Sequence, residues 1–218
     1  SSSASTSGKR DLIQKQQTVS QYGRLFEITN DRSTEVGNQV QQTLKDVIQT
    51  LDIYGELRIC ATFDRLGIKD SREYFNQIRI AHDQPDRPYH NWSHIIYGLD
   101  LIWQHWDDFE NPDLALFAWL HHDIVYTPSS TTNEEDSATK AQASLEENQQ
   151  AQHVETCVDI ILSTQHKCPP KSPDAQLIVD IDLAILGSDA ATYKKYTQKI
   201  REEYGMVPDR IFNPRRAE

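Results

Sequence analysis

No run of apolar residues in this chain approaches the ~20 needed to span a bilayer as a helix, so no membrane-spanning segment is expected. The N-terminal Ser-Ser-Ser-Ala-Ser-Thr-Ser-Gly-Lys-Arg also lacks the apolar core of a signal peptide. Cysteine is scarce: Cys60, Cys157 and Cys168 are scattered without any Cys-x-x-Cys spacing. That pattern fits reduced thiols in a cytoplasmic protein better than a disulfide framework. Cys157 and Cys168, with nearby His153 and His166, are a minor alternative as a thiolate metal site, disfavoured by that spacing. Basic residues are in the minority: 22 Lys and Arg against 33 Asp and Glu leave a formal net charge of −11. A surface of that sign repels nucleic-acid backbones and anionic lipid. A small phosphorylated molecule is still admissible where a pocket is locally positive. Strand-length alternation of apolar and polar residues is missing too, as is any internal repeat.

What the chain does have is helical periodicity. Residues 1–32, rich in Ser, Thr and Gln, are expected to form a flexible leader, with at most a short helix near Tyr22–Ile28. From Ser33 onward Val36, Val40, Leu44, Val47, Ile48 and Leu51 follow the 3–4 spacing of one buried helix face. Glu56–Leu66 and Ser71–His82 read as two further helices, with Gly55 and Gly67 near the breaks and Ser71 as a cap. Pro85 and Pro88 make residues 83–90 a loop. Ser93 then caps a helix carrying His94, Ile95, Leu99, Ile102 and Trp106, and Asn111-Pro112-Asp113 starts the next. Asn133 to Glu147, His153 to Gln165, Asp174 to Leu186 (stopped by Gly187) and Asp189 to Tyr204 complete the series. The expected fold is all-α, one compact helical bundle over residues 33–218.

One stretch concentrates the chemistry. Trp119 to Tyr126 reads Trp-Leu-His-His-Asp-Ile-Val-Tyr and sets His122 beside Asp123 at the end of an apolar run (Leu114, Leu116, Phe117, Leu120). Adjacent helical residues are splayed by about 100°, yet both can reach one small object between them. A buried carboxylate beside a buried imidazole is costly unless a cation compensates the desolvation. His94 and Asp182 are the other groups in line, giving His94, His122, Asp123 and Asp182. This N/O donor set suits Mn, Fe, Co, Ni or Zn, and it leaves coordination positions open for water.

The order His…His-Asp…Asp on successive helices resembles the HD-domain superfamily of metal-dependent phosphohydrolases. Five ordered motifs are similar to one small uncharacterised subgroup of it. They are Arg87-x-Tyr89-His90-x-x-x-His94, Leu120-His-His-Asp-x-Val-Tyr126, Asn133-Glu134-Glu135-x-Ser137-Ala138, Ser163-Thr-x-x-His166 and Asp180-x-Asp182-Leu-Ala-x-Leu-Gly187. The resemblance spans about residues 70–204. It implies His94, His122, Asp123 and Asp182 as ligands of a divalent transition metal, Asp123 as the bridge to any second ion, and His166 as a candidate ligand of that ion. Within the resemblance His122 is preferred to His121 because the dyad needs the histidine directly before the aspartate. Asp182 is preferred to Asp180 because the ligand directly precedes the leucine.

The implied reaction is hydrolysis of a phosphate ester, with a nucleotide among the candidate substrates, by a metal-activated water. Arg87 would grip a phosphate oxygen with its planar fork. His90 and Lys167 would contact substrate, and Asp123 or Glu135 would handle the proton. Each assignment has a plainer rival. Glu134 and Glu135 stand in a helix's first turn, where the dipole alone favours them, and Lys167 suits an exposed solubilising role equally well. Asp136 reads as a cap partner. His82, His105 and His153 are read as surface or structural residues, and Trp92, Trp103, Trp106 and Trp119 as core. Two other functions compete: a di-iron oxygenase on the same scaffold, and a metal- or nucleotide-binding module without turnover.

Overall fold

The computed structural model describes residues 35–128 and 130–217. The expected leader, residues 1–32, lies outside them. The chain is all-α, and no strand occurs among the described residues. It divides into two units, Ser1–Ala61 and Thr62–Glu218. The first unit is described only as the greater part of helix α1, Glu35–Arg65. The side chains of Val36, Val40, Leu44, Val47, Ile48 and Leu51 are outside the described set, so their expected burial is not addressed here. The break expected near Gly55 does not occur, because α1 runs straight through it. One interior glycine costs a helix only about 1 kcal/mol relative to alanine, too little to interrupt a helix of this length.

The second unit holds α2 (Ser71–His82), α3 (Trp92–Gln104), α4 (Pro112–His121), α5 (Asn133–Glu147), α6 (Val154–Ser163), α7 (Pro173–Leu183), α8 (Ala190–Glu203) and α9 (Asp209–Ala217). The last of these was not legible in the sequence. Helix α4 is the axis of this unit and packs against α3, α5, α6 and α7. Every residue from Leu114 to His121 is buried. A helix buried on all sides has no amphipathic stripe, which is why α4 reads as a plain apolar run. Its start is fixed by Asn111, whose Oδ1 accepts from the Leu114 amide at 3.1 Å, and by Asp174 of α7. The buried Asp174 carboxylate accepts from the Glu110 and Asn111 amides at 2.7 and 2.9 Å. One carboxylate therefore sets the spacing between the helix that ends in His122-Asp123 and the helix that carries Asp182.

Two caps differ from expectation. Asp70, in the left-handed region at φ 50°, precedes α2, and Ser71 is its first helical residue. Asn91, not Ser93, caps α3: its Oδ1 accepts from the Ser93 amide at 2.8 Å and from the Ser93 hydroxyl at 2.6 Å. The Asn91 amide group meanwhile donates to the carbonyls of Arg87 and Pro88 at 2.9 and 3.0 Å. The loop 87–91 is thereby folded onto the start of α3, with His94 in the helix's first turn and His90 outside it. Helix α8 packs Tyr196 and Ile200 with Ile185, and Tyr89, Tyr97, Tyr204 and Phe212 lie against that cluster. No helix among the described residues is long and apolar enough to cross a membrane.

Candidate metal centre

The ends of three helices meet at one point. His94 lies in the first turn of α3, His122 and Asp123 directly follow α4, and Asp182 is the penultimate residue of α7. One ligand atom each from His94, His122 and Asp182 falls within a common 4.8 Å. The Nε2 atoms of His94 and His122 are 3.2 Å apart. Asp182 Oδ1 is 3.4 Å from His94 Nε2 and 3.9 Å from His122 Nε2. Asp123 Oδ2 joins from the other side, 3.1 Å from His122 Nε2 and 3.7 Å from His94 Nε2. All four residues named from the sequence therefore meet.

The inward-facing atom of His122 follows from its outer partner. His122 Nδ1 lies 2.7 Å from the Trp119 carbonyl, which can only accept, so Nδ1 carries a proton and Nε2 is the atom turned inward, free to ligate when the ring is neutral. The Trp119 indole stacks on the His122 ring with centroids 4.2 Å apart, and its Nε1 donates to the Ile95 carbonyl at 2.9 Å. Lone pairs and carboxylate oxygens thus face one another in a buried space, an arrangement that calls for positive charge. The titration behaviour says the same. Burial alone would depress His122, but the Asp123 carboxylate overrides it and raises the imidazole to about 9. Burial would raise Asp123, yet the His122 charge holds it well below the usual carboxylate range. Asp182 is likewise held low against burial, through its hydrogen bonds to His166 and His94. Bonds of ~2.0–2.2 Å from a metal to N and O ligands place neighbouring ligand atoms ~3.0–3.5 Å apart. The observed separations fit that span or slightly exceed it.

Asp182 also faces outward. Its Oδ2 is 3.0 Å from His166 Nε2, and His166 sits in the left-handed region at φ 55° in the loop after α6. Asp182 Oδ1 thus lies near His94 and His122 while its Oδ2 lies near His166. His121 is turned elsewhere: Nδ1 meets the Phe117 carbonyl at 2.7 Å and Nε2 meets the Tyr74 hydroxyl at 2.6 Å. Burial pushes His121 down to about 4, so it is a neutral core residue. Asp180 is exposed.

The remaining candidates divide. Arg87 is buried, and its guanidinium donates to the Asp123 and Ile124 carbonyls at 2.7 and 3.2 Å. These bonds close the end of α4 and hold the backbone that carries Asp123. Lys167 and Glu135 lie 3.6 Å from each other, both substantially exposed, and neither joins the cluster among the described contacts. His82, expected to be structural, is buried with Nε2 3.0 Å from the Leu120 carbonyl. Trp92, Trp103 and Trp119 are core, whereas Trp106 is only partly buried.

One residue escaped the sequence reading. Glu203 of α8 is buried and receives four donors: the Tyr89 and His90 amides on Oε1 at 2.9 and 2.8 Å, and His90 Nδ1 and the Tyr126 hydroxyl on Oε2 at 2.7 and 3.2 Å. A signal existed. Tyr196, Ile200 and Glu203 follow the i, i+4, i+7 spacing of one buried face, and a glutamate on an apolar stripe requires partners. Compared with known proteins, the chain matches no family model, no curated protein and no solved structure.

Proposed function

We propose that His94, His122, Asp123 and Asp182 hold a divalent transition metal and that the chain is an HD-type phosphohydrolase acting on a small phosphate ester. One observation carries this reading: two inward-facing imidazole nitrogens and a carboxylate oxygen, from three different helix ends, lie within 4.8 Å in a buried space. A divalent ion in such a site lowers the pKa of water and takes up charge on a phosphoryl oxygen. The chain's own residues supply the rest. Trp119, through its carbonyl and its ring, fixes His122, and Arg87 fixes the backbone carrying Asp123. Asp123, inside the cluster, is better placed than Glu135 to hold a proton. Lys167 is the proposed cation for the substrate's phosphate, and His90 stands beside the cluster as a further substrate contact. With His166 on the outer oxygen of Asp182, room for a second ion is part of the proposal.

Elemental analysis of the purified chain is the direct test. One or two transition-metal ions per chain are expected, lost in Asp182→Ala and Asp123→Ala, with His166→Ala losing only the second. Hydrolysis across a panel of phosphate esters with Mn, Co and Ni should then depend on the same residues. Protein whose metal content stays near zero after incubation with these ions overturns the proposal. Two irons with oxygen uptake, and no phosphate release, would replace it with the oxygenase reading.

A further inference from the structure

Glu203 draws together three pieces of chain that the proposed site needs: the Tyr89–His90 turn, the segment leading from Asp123 to Tyr126, and helix α8. A carboxylate receiving four donors is ionised and accepts in every one of these bonds. Its bond to His90 Nδ1 therefore requires the proton on Nδ1. The His90 ring is further clamped by Tyr126, stacked on it with centroids 4.3 Å apart, while the Arg87 guanidinium lies 5.6 Å from the centre of the Tyr126 ring. His90 Nε2, on the opposite edge, forms no hydrogen bond among the described residues. The ring lies beside His94, centroids 5.7 Å apart, and feels the charges of both Asp123 and Asp182.

We infer that Glu203 is a positioning residue: by holding a proton on His90 Nδ1 it leaves Nε2 as the ring edge that meets an O–H group at the metal centre. That group is either a hydroxyl of the substrate or a water at the cluster. The inference rests on the proposed function for its catalytic consequence, but the tautomer itself does not. Glu203→Gln is the informative change. The Gln oxygen can keep the Tyr89 and His90 amides, while its NH₂ group replaces an acceptor by a donor opposite Nδ1. The imidazole must then move its proton to Nε2 and turn a donor toward the site.

Long-range ¹H–¹⁵N correlation spectra of the zinc-loaded full chain, with His90→Gln to assign the signal, read this directly. The parent should show the Nδ1–H form of His90 and Glu203→Gln the Nε2–H form, with zinc content unchanged. Removing the carboxylate partner of a site histidine typically costs about 10–100-fold in activity, so the p-nitrophenyl phosphate reaction should fall by at least about tenfold. A fall confined to kcat assigns the O–H group to water, and a rise confined to KM assigns it to the substrate. An Nε2–H tautomer in the parent overturns the inference even if Glu203→Gln fails to fold. So does an unchanged tautomer in the variant, or loss of zinc, which would make Glu203 a builder of the metal centre. A parent with the Nδ1–H form but no turnover of any phosphate ester would sink the phosphohydrolase reading and leave the tautomer lock standing.

Discussion

Replacing Gly98 by alanine should destabilise the protein, although alanine is the better helix former. Gly98 lies mid-way along α3, where its missing side chain leaves room for the Trp119 indole. A Cβ there would collide with ring atoms Cζ2 and Cε2 and would stand 2.8 Å from Cη2, against an optimal carbon–carbon separation of ~3.5–4.0 Å. The indole has no retreat. It is fully buried, stacked on His122 on one side and bound through Nε1 to the Ile95 carbonyl. Overpacking of this kind costs about 1–3 kcal/mol. Pulling Nε1 from its carbonyl adds about 1–3 kcal/mol for the buried indole N–H left unsatisfied. The helix gains back only about 0.5–1 kcal/mol. The balance is a loss of about 3 kcal/mol, or roughly 6–12 °C in thermal midpoint for a unit of this size. Urea titration followed by circular dichroism measures the stability, and the near-ultraviolet signal reports the tryptophan environment. Metal content should fall as well, since the indole is the wall against which His122 rests. A variant as stable as the parent, or more so, would show that Trp119 can shift freely and that the support assigned to His122 is wrong.

Three other outcomes follow from the same structure. Burial keeps His82 neutral and pushes it down to about 3. The unfolded chain therefore takes up a proton near ~6.5 that the native state refuses, and this one group should lower stability by about 2 kcal/mol from about pH 8 to about pH 5. His82→Gln should remove that contribution, and an unchanged pH dependence in urea titrations would remove His82 as its source. Arg87→Met leaves the Asp123 and Ile124 carbonyls without their charged donor, at about 1.5–3 kcal/mol per bond. Lower stability with weakened metal retention is expected; unchanged stability with only a raised KM for phosphate esters would return Arg87 to the role of phosphate grip. Stripping a bound metal with a chelator should lower the unfolding free energy, by about 2.7 kcal/mol if the free ion had stood at about 100 times its Kd. Coincident melting curves with and without chelator would count against a site linked to folding.

The sequence was most informative where a rule has one physical cause. Asn111-Pro112 started a helix because a cap and a fixed φ act locally. His94, His122, Asp123 and Asp182 met in space as expected because such groups are costly to bury apart. Local readings were weakest where two devices competed for one position. Ser93 and Asn91 are both good caps, and only the folded loop shows Asn91 also occupied by the Arg87 and Pro88 carbonyls. No spacing could reveal that the Arg87 guanidinium would also bind the carbonyls at the end of α4. Gly98 gave no signal at all, since a glycine in a helical stretch looks the same whether it is idle or holds a place for a ring 21 residues away.

The double engagement of Asn91 makes the stretch from Arg87 to His94 a measured length. Its amide group is pinned to carbonyls three and four residues back, and its oxygen sets where α3 begins. One added residue after the cap would turn everything beyond it by about 100° around the helix axis, carrying His94 off the centre while leaving composition almost untouched. Within residues 87–94, an exchange at a position that makes none of these contacts should be tolerated far more readily than an insertion or deletion.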